Sequence, residues 1–241
     1  MKPEILFEDR HILVCIKPAG VPTQSRQIST PDMVSILKNH LHSRQAKSGE
    51  PYLALIHRLD QPVEGLLVFA KTPAAAKSLS RQLQASGFGK HYLAVLSAVP
   101  GQTEADLEDY LVKDGRTNTS RVCTSDTPGA KPARLHYHVL RTRDSLALAE
   151  IILDTGRHHQ IRVQMAHIGC PVAGDTKYTP TSPGQTRSIS GPLRLYAVKL
   201  SFCHPATGEP LSFSHTPLLP AAYKNSTWLF LSPARCCRHL Q

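Results

Sequence analysis

Acidic residues are scarce in this chain of 241. Asp and Glu number 18 against 28 Lys and Arg, a net charge of +10 with His neutral. No acid occurs between Glu64 and Glu104, an interval that holds Lys71, Lys77, Arg81 and Lys90. None occurs between Asp175 and Glu209, where Lys177, Arg187, Arg194 and Lys199 lie. The acids gather instead at Glu104, Asp106, Glu108 and Asp109. Such a surplus suits an anionic partner, nucleic acid being the commonest soluble one, and suits equally a solvated basic surface.

Other absences exclude whole classes. There is no CxxC pair: Cys15, Cys123, Cys170 and Cys203 are dispersed, and Cys236 and Cys237 are adjacent. With no signal peptide at the start, this points to reduced thiols in a cytoplasmic protein. The longest mostly apolar runs, such as Leu146 to Leu153, are far too short to span a bilayer, so no membrane contact is expected. The chain lacks a GxxxxGK[ST] phosphate loop, a GxGxxG fingerprint and a GxSxG elbow, which removes the enzyme classes built on them. The 13 histidines raise the question of a metal, with His158, His159 and His167 plus Cys170 or Asp175 as the nearest set. Their spacing matches no established zinc pattern, and adjacent histidines on a helix converge poorly on one ion. No metal or cofactor is therefore expected.

What is present is globular: 41% hydrophobic and 19% charged residues, on a chain long enough to bury a core, with 19 prolines forecasting loops and short elements. Residues 5 to 16 read as two short strands around a polar turn, closed by Lys17-Pro18-Ala19-Gly20. Thr30-Pro31-Asp32 reads as a helix start with Thr30 as cap, followed by Met33, Leu37 and Leu41 at helical spacing. Tyr52 to Ile56 and Leu66 to Ala70 read as strands, and Thr72-Pro73 opens a second helix with Gly87 as its stop. Strands are expected over Tyr92 to Val99, Arg134 to Leu140, Leu146 to Leu153 and Leu193 to Phe202, and a helix over His159 to Ile168. The polar stretch 103–130 reads as an excursion, 179–192 as a loop and 217–241 as a basic tail. No repeat, heptad run or domain break stands out. The expectation is one α+β domain over 1–241, with a central, mostly antiparallel mixed sheet flanked by helices and loops.

Two segments are dense in chemistry. Asp60 follows His57-Arg58-Leu59 just past an apolar strand. An acid there serves as a turn former, or as a nucleophile or base facing a cleft from a rigid element. His57 and Arg58 could bind phosphate or a base edge. Thr155-Gly156-Arg157-His158-His159-Gln160-Ile161-Arg162 packs two arginines, two histidines and a glutamine across a helix start, where unpaired N–H groups favour anions. If that helix begins near Arg157, then His158 and Arg162 share a face. A solvated polar helix entry is the plainer alternative.

In order and spacing these segments resemble the RluA-type pseudouridine synthases. Lys17-Pro18-Ala19-Gly20 resembles the family's first motif, and His57 to Gly65 running into LLVFAK its second. Lys90-His91-Tyr92-Leu93-Ala94 is similar to its K-x-Y-x-A segment, TGRHHQIRV and GCPVAGDTKY to the two that follow, and Leu195-Tyr196-Ala197 with FCHPATGE to its closing segment. The likeness runs from about residue 5 to 216.

The resemblance implies a single pseudouridine-synthase catalytic domain and an RNA uridine isomerase that uses no cofactor or metal. By it, Asp60 is the catalytic carboxylate and attacks the ribose or takes a proton from it. The glycosidic bond then breaks, and the uracil rotates and rejoins through carbon. Arg162 would pair with Asp60, such a cation lowering a carboxylate pKa by about 1–3 units. Tyr92 would stack on the flipped uracil and Leu195 would wall the base pocket. Lys90, Arg157, His57 and His158 would contact RNA, and Arg58 would fill the space the base vacates. Ribosomal or transfer RNA is the implied partner, and no obligatory protein partner is evident.

Three departures stand out. Gln61-Pro62-Val63-Glu64 replaces an arginine, a variable residue, Thr and Ser before Gly65. Gln164 stands where a histidine is frequent. The matching region begins too early for a preceding S4-like RNA-binding domain, so RNA recognition is expected from the catalytic domain or from 103–130. The competing expectation is a non-catalytic RNA-binding or ribosome-assembly protein of the same fold.

Overall fold

A computed structural model describes residues 3–25, 27, 29–44, 49–85, 87–178 and 189–219. Most of the expected 179–192 loop, including Arg187, and the tail from 220 onward, with Arg235, Cys236, Cys237 and Arg238, lie outside the described residues. In chain order the elements are β1 (Glu4–Glu8), β2 (Ile12–Lys17), α1 (Met33–His42), β3 (Ala54–Leu55), β4 (Glu64–Ala70), α2 (Pro73–Gln84) and β5 (Gly89–Leu96). They continue with β6 (Glu104–Asp114), β7 (Thr119–Cys123), β8 (Lys131–Arg143), β9 (Leu146–Leu153), α3 (Gln160–His167), β10 (Leu195–Cys203) and β11 (Pro210–Ser214).

The described residues fall into two compact units. Among the described residues, one draws on those up to Gly89 and on Ala197–Pro217, the other on those from Lys90 to Tyr196. In the first, β2 pairs antiparallel with β1 and with β4, and β10 with β11. Every residue of β2 is buried, which explains its near-continuous apolar sequence. Its core joins Ile12, Val14 and Ile16 to Leu66 and Val68, to Ala75 and Leu79 of α2, and to Leu200 and Phe202. Phe88 stacks on Phe202 at 5.3 Å. Gly65 has φ +136°, and a β-carbon there would lie 2.2 Å from the Ala197 carbonyl oxygen. Only glycine fits this close backbone approach, just past the Asp60 loop.

Both helix starts in this unit are governed by side-chain caps. Thr72 caps α2 through its bond from the Ala75 amide, with Pro73 at the first position, as expected. The α1 start differs from expectation. Its cap is Asp32, which accepts from the Ser35 amide at 2.7 Å while the Ser35 hydroxyl accepts from the Asp32 amide at 3.1 Å. This reciprocal capping box outcompetes Thr30 and moves the helix start to Met33.

The second unit carries the antiparallel order β5-β9-β8-β6-β7, with Leu111 and Ala133 packed on Val163 of α3. The 103–130 stretch is mostly regular structure: β6 pairs with β7 and with β8. Its acids hid the strand period. Glu104, Asp106 and Glu108 stand opposite His138, His136 and Arg134 on an exposed face. His136 lies 2.9 Å from Asp106 and 3.1 Å from Glu104, so these acids have a polar partner across the ladder. α3 also begins later than expected, at Gln160, because His159 adopts left-handed geometry (φ 54°) at its cap. His158 therefore precedes the helix and shares no helical face with Arg162. No helix of the described residues is long and apolar enough to cross a membrane. Among the described residues Cys15, Cys123 and Cys170 are free thiols. The architecture is α+β with mostly antiparallel pairing, as expected.

Candidate active site

Asp60 lies half-buried in the loop between β3 and β4, in the first unit. The loop is short of secondary structure and is held by hydrogen bonds from a second segment. On the N-terminal side of Asp60, the Thr23 hydroxyl donates to the Leu59 carbonyl at 2.8 Å and accepts from the Leu59 amide at 3.2 Å. On the C-terminal side, the Gln61 carbonyl accepts from the Gly20 amide and from Lys17 Nζ, each at 2.9 Å. The Gln61 side chain returns a bond to the Gly20 carbonyl at 3.0 Å. The Asp60 carbonyl accepts from the Val63 amide at 3.0 Å, closing a turn. The residues on both sides of the carboxylate are thus fixed.

Lys17 is the centre of this clamp. It is fully buried, and its Nζ also donates to the Pro18 and Val21 carbonyls at 2.9 and 2.8 Å. An ammonium has three N–H groups, so the three carbonyls satisfy it. Burial pushes its pKa down to about 8, with Asp60 and Glu64 pulling it back up. The Lys17–Gly20 motif therefore serves to hold the Asp60 loop. Glu64, one of the departures, bonds His215 Nε2 at 2.7 Å and anchors the loop's far end.

His57 and Arg58 diverge. The Val68 amide donates to His57 Nε2 at 3.3 Å, and the ring meets Phe88 edge-on at 6.1 Å. That geometry ties His57 back onto β4. Arg58 is exposed and makes no hydrogen bond or ion pair among the described residues, which leaves its guanidinium available to a ligand.

In the second unit, Lys90 and Tyr92 alternate with His91 along β5, so they share one strand face and His91 takes the other. Tyr92 is buried at 7% exposure. His91 is also buried and bonds Glu150 at 2.8 Å, a pair within the core. Leu195 is buried at the start of β10.

Arg162 on α3 is held in a fork. Its Nε and Nη2 donate to the two Asp175 carboxylate oxygens at 2.7 and 2.8 Å. Its guanidinium carbon lies 5.1 Å from the centroid of the Tyr178 ring. Burial opposes ionisation of Asp175, but the bonds and charge of Arg162, with the Lys177 and Tyr178 amides, hold its pKa below the ordinary carboxylate value. The Tyr178 hydroxyl accepts from the Ser120 amide at 2.8 Å and lies 2.6 Å from His159 Nδ1. Burial, then the charges of Arg162 and Lys177, push the His159 pKa down to about 3, so this ring is neutral. His158 stacks on it at 3.7 Å and bonds the Ser120 hydroxyl. Arg157 donates through Nε to the Pro132 carbonyl at 2.8 Å. Gln164 is fully buried and donates to Asp109 at 2.8 Å, a structural role.

Asp175 and Tyr178 lie in the GDTKY segment, whose local sequence does not reveal their contacts with Arg162. Their grouping with Arg162 is tertiary, and the only sequence signal was the spacing of the GDTKY segment. Among the described residues no cluster of three or more His, Cys, Asp or Glu is placed to hold a metal ion.

The family model described as RNA pseudouridylate synthase matches residues 11–167. The chain is 38% identical over 216 residues to the ribosomal large subunit pseudouridine synthase D of Nitrosomonas europaea, covering 86% of this chain and 60% of that protein. It is 32% identical to the dual-specificity RNA pseudouridine synthase RluA of Salmonella typhimurium, covering 87% of this chain and 90% of that one. The solved structure of human RNA Pseudouridylate Synthase Domain Containing 4 superimposes with a TM-score of 0.73 at 25% identity, covering 91% and 90% of the two chains. This chain belongs to the RNA pseudouridylate synthase family, in its RluA-type branch.

Proposed function

We propose that this chain isomerises specific uridines of ribosomal or transfer RNA to pseudouridine, in the cytoplasm and without an obligatory protein partner. Residues 1–241 work as one catalytic domain in this reading. Asp60 attacks the ribose or takes a proton from it, and the bond from C1′ to N1 breaks. The uracil rotates, C5 bonds to C1′ as the bond from Asp60 breaks or the ribose takes its proton back, and the C5 proton leaves while N1 takes one up. Atoms and charge balance, as an isomerisation requires. Tyr92 stacks on the uracil and assists the final proton removal. Arg162 supplies the cation for Asp60, and Leu195 walls the base. Arg58 fills the vacated stack, and Lys90, Arg157, His57 and His158 contact the RNA.

The observation that supports this reading most is the clamp on Asp60, in which Thr23 fixes Leu59 while Lys17 and Gly20 fix Gln61. A turn-forming acid needs no such support, whereas a reacting carboxylate gains from a preorganised position. The name of one relative, a ribosomal large subunit synthase, supports a ribosomal target, and that of another, a dual-specificity RNA synthase, supports more than one RNA target. Mapping pseudouridine across cellular RNA with and without this protein tests the reading. At least one site should vanish with the protein and return with it; an unchanged map overturns the proposal.

A further inference from the structure

Lys90 and Lys17 are both buried lysines whose pKa burial pushes down to about 8. Their hydrogen bonding differs sharply. Lys17 spends its three donors on three carbonyls at 2.8–2.9 Å. Lys90, at 8% exposure, makes a single contact among the described residues, to the Thr155 carbonyl at 3.5 Å, the outer limit of a hydrogen bond. A buried ammonium left with unused donors is costly, and folds keep such groups mainly where a ligand completes them.

The surroundings specify the ligand's charge. Arg157 lies close enough that its charge opposes that of Lys90. Its Nε is anchored on the Pro132 carbonyl, and it has no acidic partner among the described residues. Asp154 is the one acid whose charge favours the Lys90 ammonium, and it is exposed and makes no ion pair with it. Gly156 is also exposed, and a β-carbon built on it would lie 3.7 Å from Lys90 Nζ. The space a side chain would take at 156 is therefore the space beside the ammonium. Two cations around a gap of this kind suit a tetrahedral oxyanion.

We propose that Lys90 and Arg157, at the opening kept by Gly156, hold one phosphodiester of bound RNA, the phosphate flanking the nucleotide over Tyr92. Lys90 and Tyr92 stand two residues apart on one strand face, about 7 Å. That is the span from the phosphate to the base of a single nucleotide. The inference rests on the RNA-modifying reading above and sharpens it from general basic attraction to a single-phosphate site.

The test uses the full chain and total RNA from cells that lack the protein. Lys90→Met and Arg157→Met should each weaken RNA binding by roughly 10-fold, with a salt slope shallower by about 0.7–1. The double variant should lose less than the product of the two, because both cations act on one phosphate. Inorganic phosphate should compete with RNA for wild type more strongly than chloride at equal ionic strength, and should lose that advantage in Lys90→Met. Gly156→Ala, which keeps both cations, should raise KM with kcat unchanged. Lys90→Met should melt no lower than wild type, since it removes a poorly solvated charge. Unchanged affinity, multiplicative losses, no phosphate-specific competition or a destabilised Lys90→Met overturns the phosphate site. A wild-type protein that binds no RNA overturns the RNA-modifying reading itself.

Discussion

Lys17 Nζ donates to the main-chain carbonyl of Gln61 at 2.9 Å, joining two segments 44 residues apart and fixing the residue that follows Asp60. The residue before Asp60 is held in the same way by Thr23. The Asp60 loop thus takes its shape from the 17–23 segment.

Replacing Thr23 by Val keeps the side-chain shape but leaves the Leu59 amide and carbonyl unpartnered. A buried group left so costs about 1–3 kcal/mol, with partial relaxation expected here. The account predicts a lower kcat with little change in RNA affinity, read by single-turnover kinetics beside a binding titration. Lys17→Met should act in the same direction and more strongly, since the Pro18 and Val21 carbonyls lose their ammonium donor and the Gln61 carbonyl keeps only the Gly20 amide.

Lys17 and Lys90 make a paired prediction on pH. Each has a folded pKa of about 8, below its ordinary 10.5. Between those values the unfolded chain binds more protons, so the stability contributed by each lysine rises as pH climbs from about 8 toward 10.5. Lys90→Met removes one such group. Its melting temperature should exceed that of wild type at neutral pH, and the gap should narrow above about pH 8. Lys17→Met should melt below wild type throughout. Thermal melts across this range distinguish the two lysines; a gap for Lys90→Met that does not vary with pH contradicts the assignment.

His159 governs the acid side. Its folded pKa of about 3 lies below the ordinary 6.5, so the unfolded state binds the proton first on acidification. The stability from the neutral ring is fully present above about pH 6.5 and is lost progressively toward pH 3. His159→Asn, which tolerates the left-handed cap geometry, removes this titration. Denaturant titrations of the variant should show a flatter loss of stability over that window; an unchanged acid limb refutes the role given to His159.

Much of this was legible in the sequence. The Thr72-Pro73 start, the β2, β4 and β9 runs and the His57–Asp60 segment announce themselves through local chemistry: a cap, an apolar run, an acid after a strand. What stayed hidden is tertiary. β6 and β7 were concealed because Glu104, Asp106 and Glu108 look like solvated loop residues until Arg134, His136 and His138 stand opposite them. The left-handed turn at His159, which displaces the start of α3, depends on Tyr178 and Ser120 from other segments. The fork between Arg162 and Asp175 joins residues that no helical or strand period relates. Local signals named the elements, and long-range hydrogen bonds placed the functional groups.

The central claim is that Asp60 carries the chemistry. Release of the C5 hydrogen from RNA labelled with tritium at C5 of uridine reports the isomerisation directly, because forming the new C–C bond expels that hydrogen. Wild type should release tritium. Asp60→Asn, nearly isosteric and still clamped by Thr23, Gly20 and Lys17, should bind the same RNA with release reduced by at least roughly 10²–10⁴-fold. Release at the wild-type rate from Asp60→Asn would contradict the account.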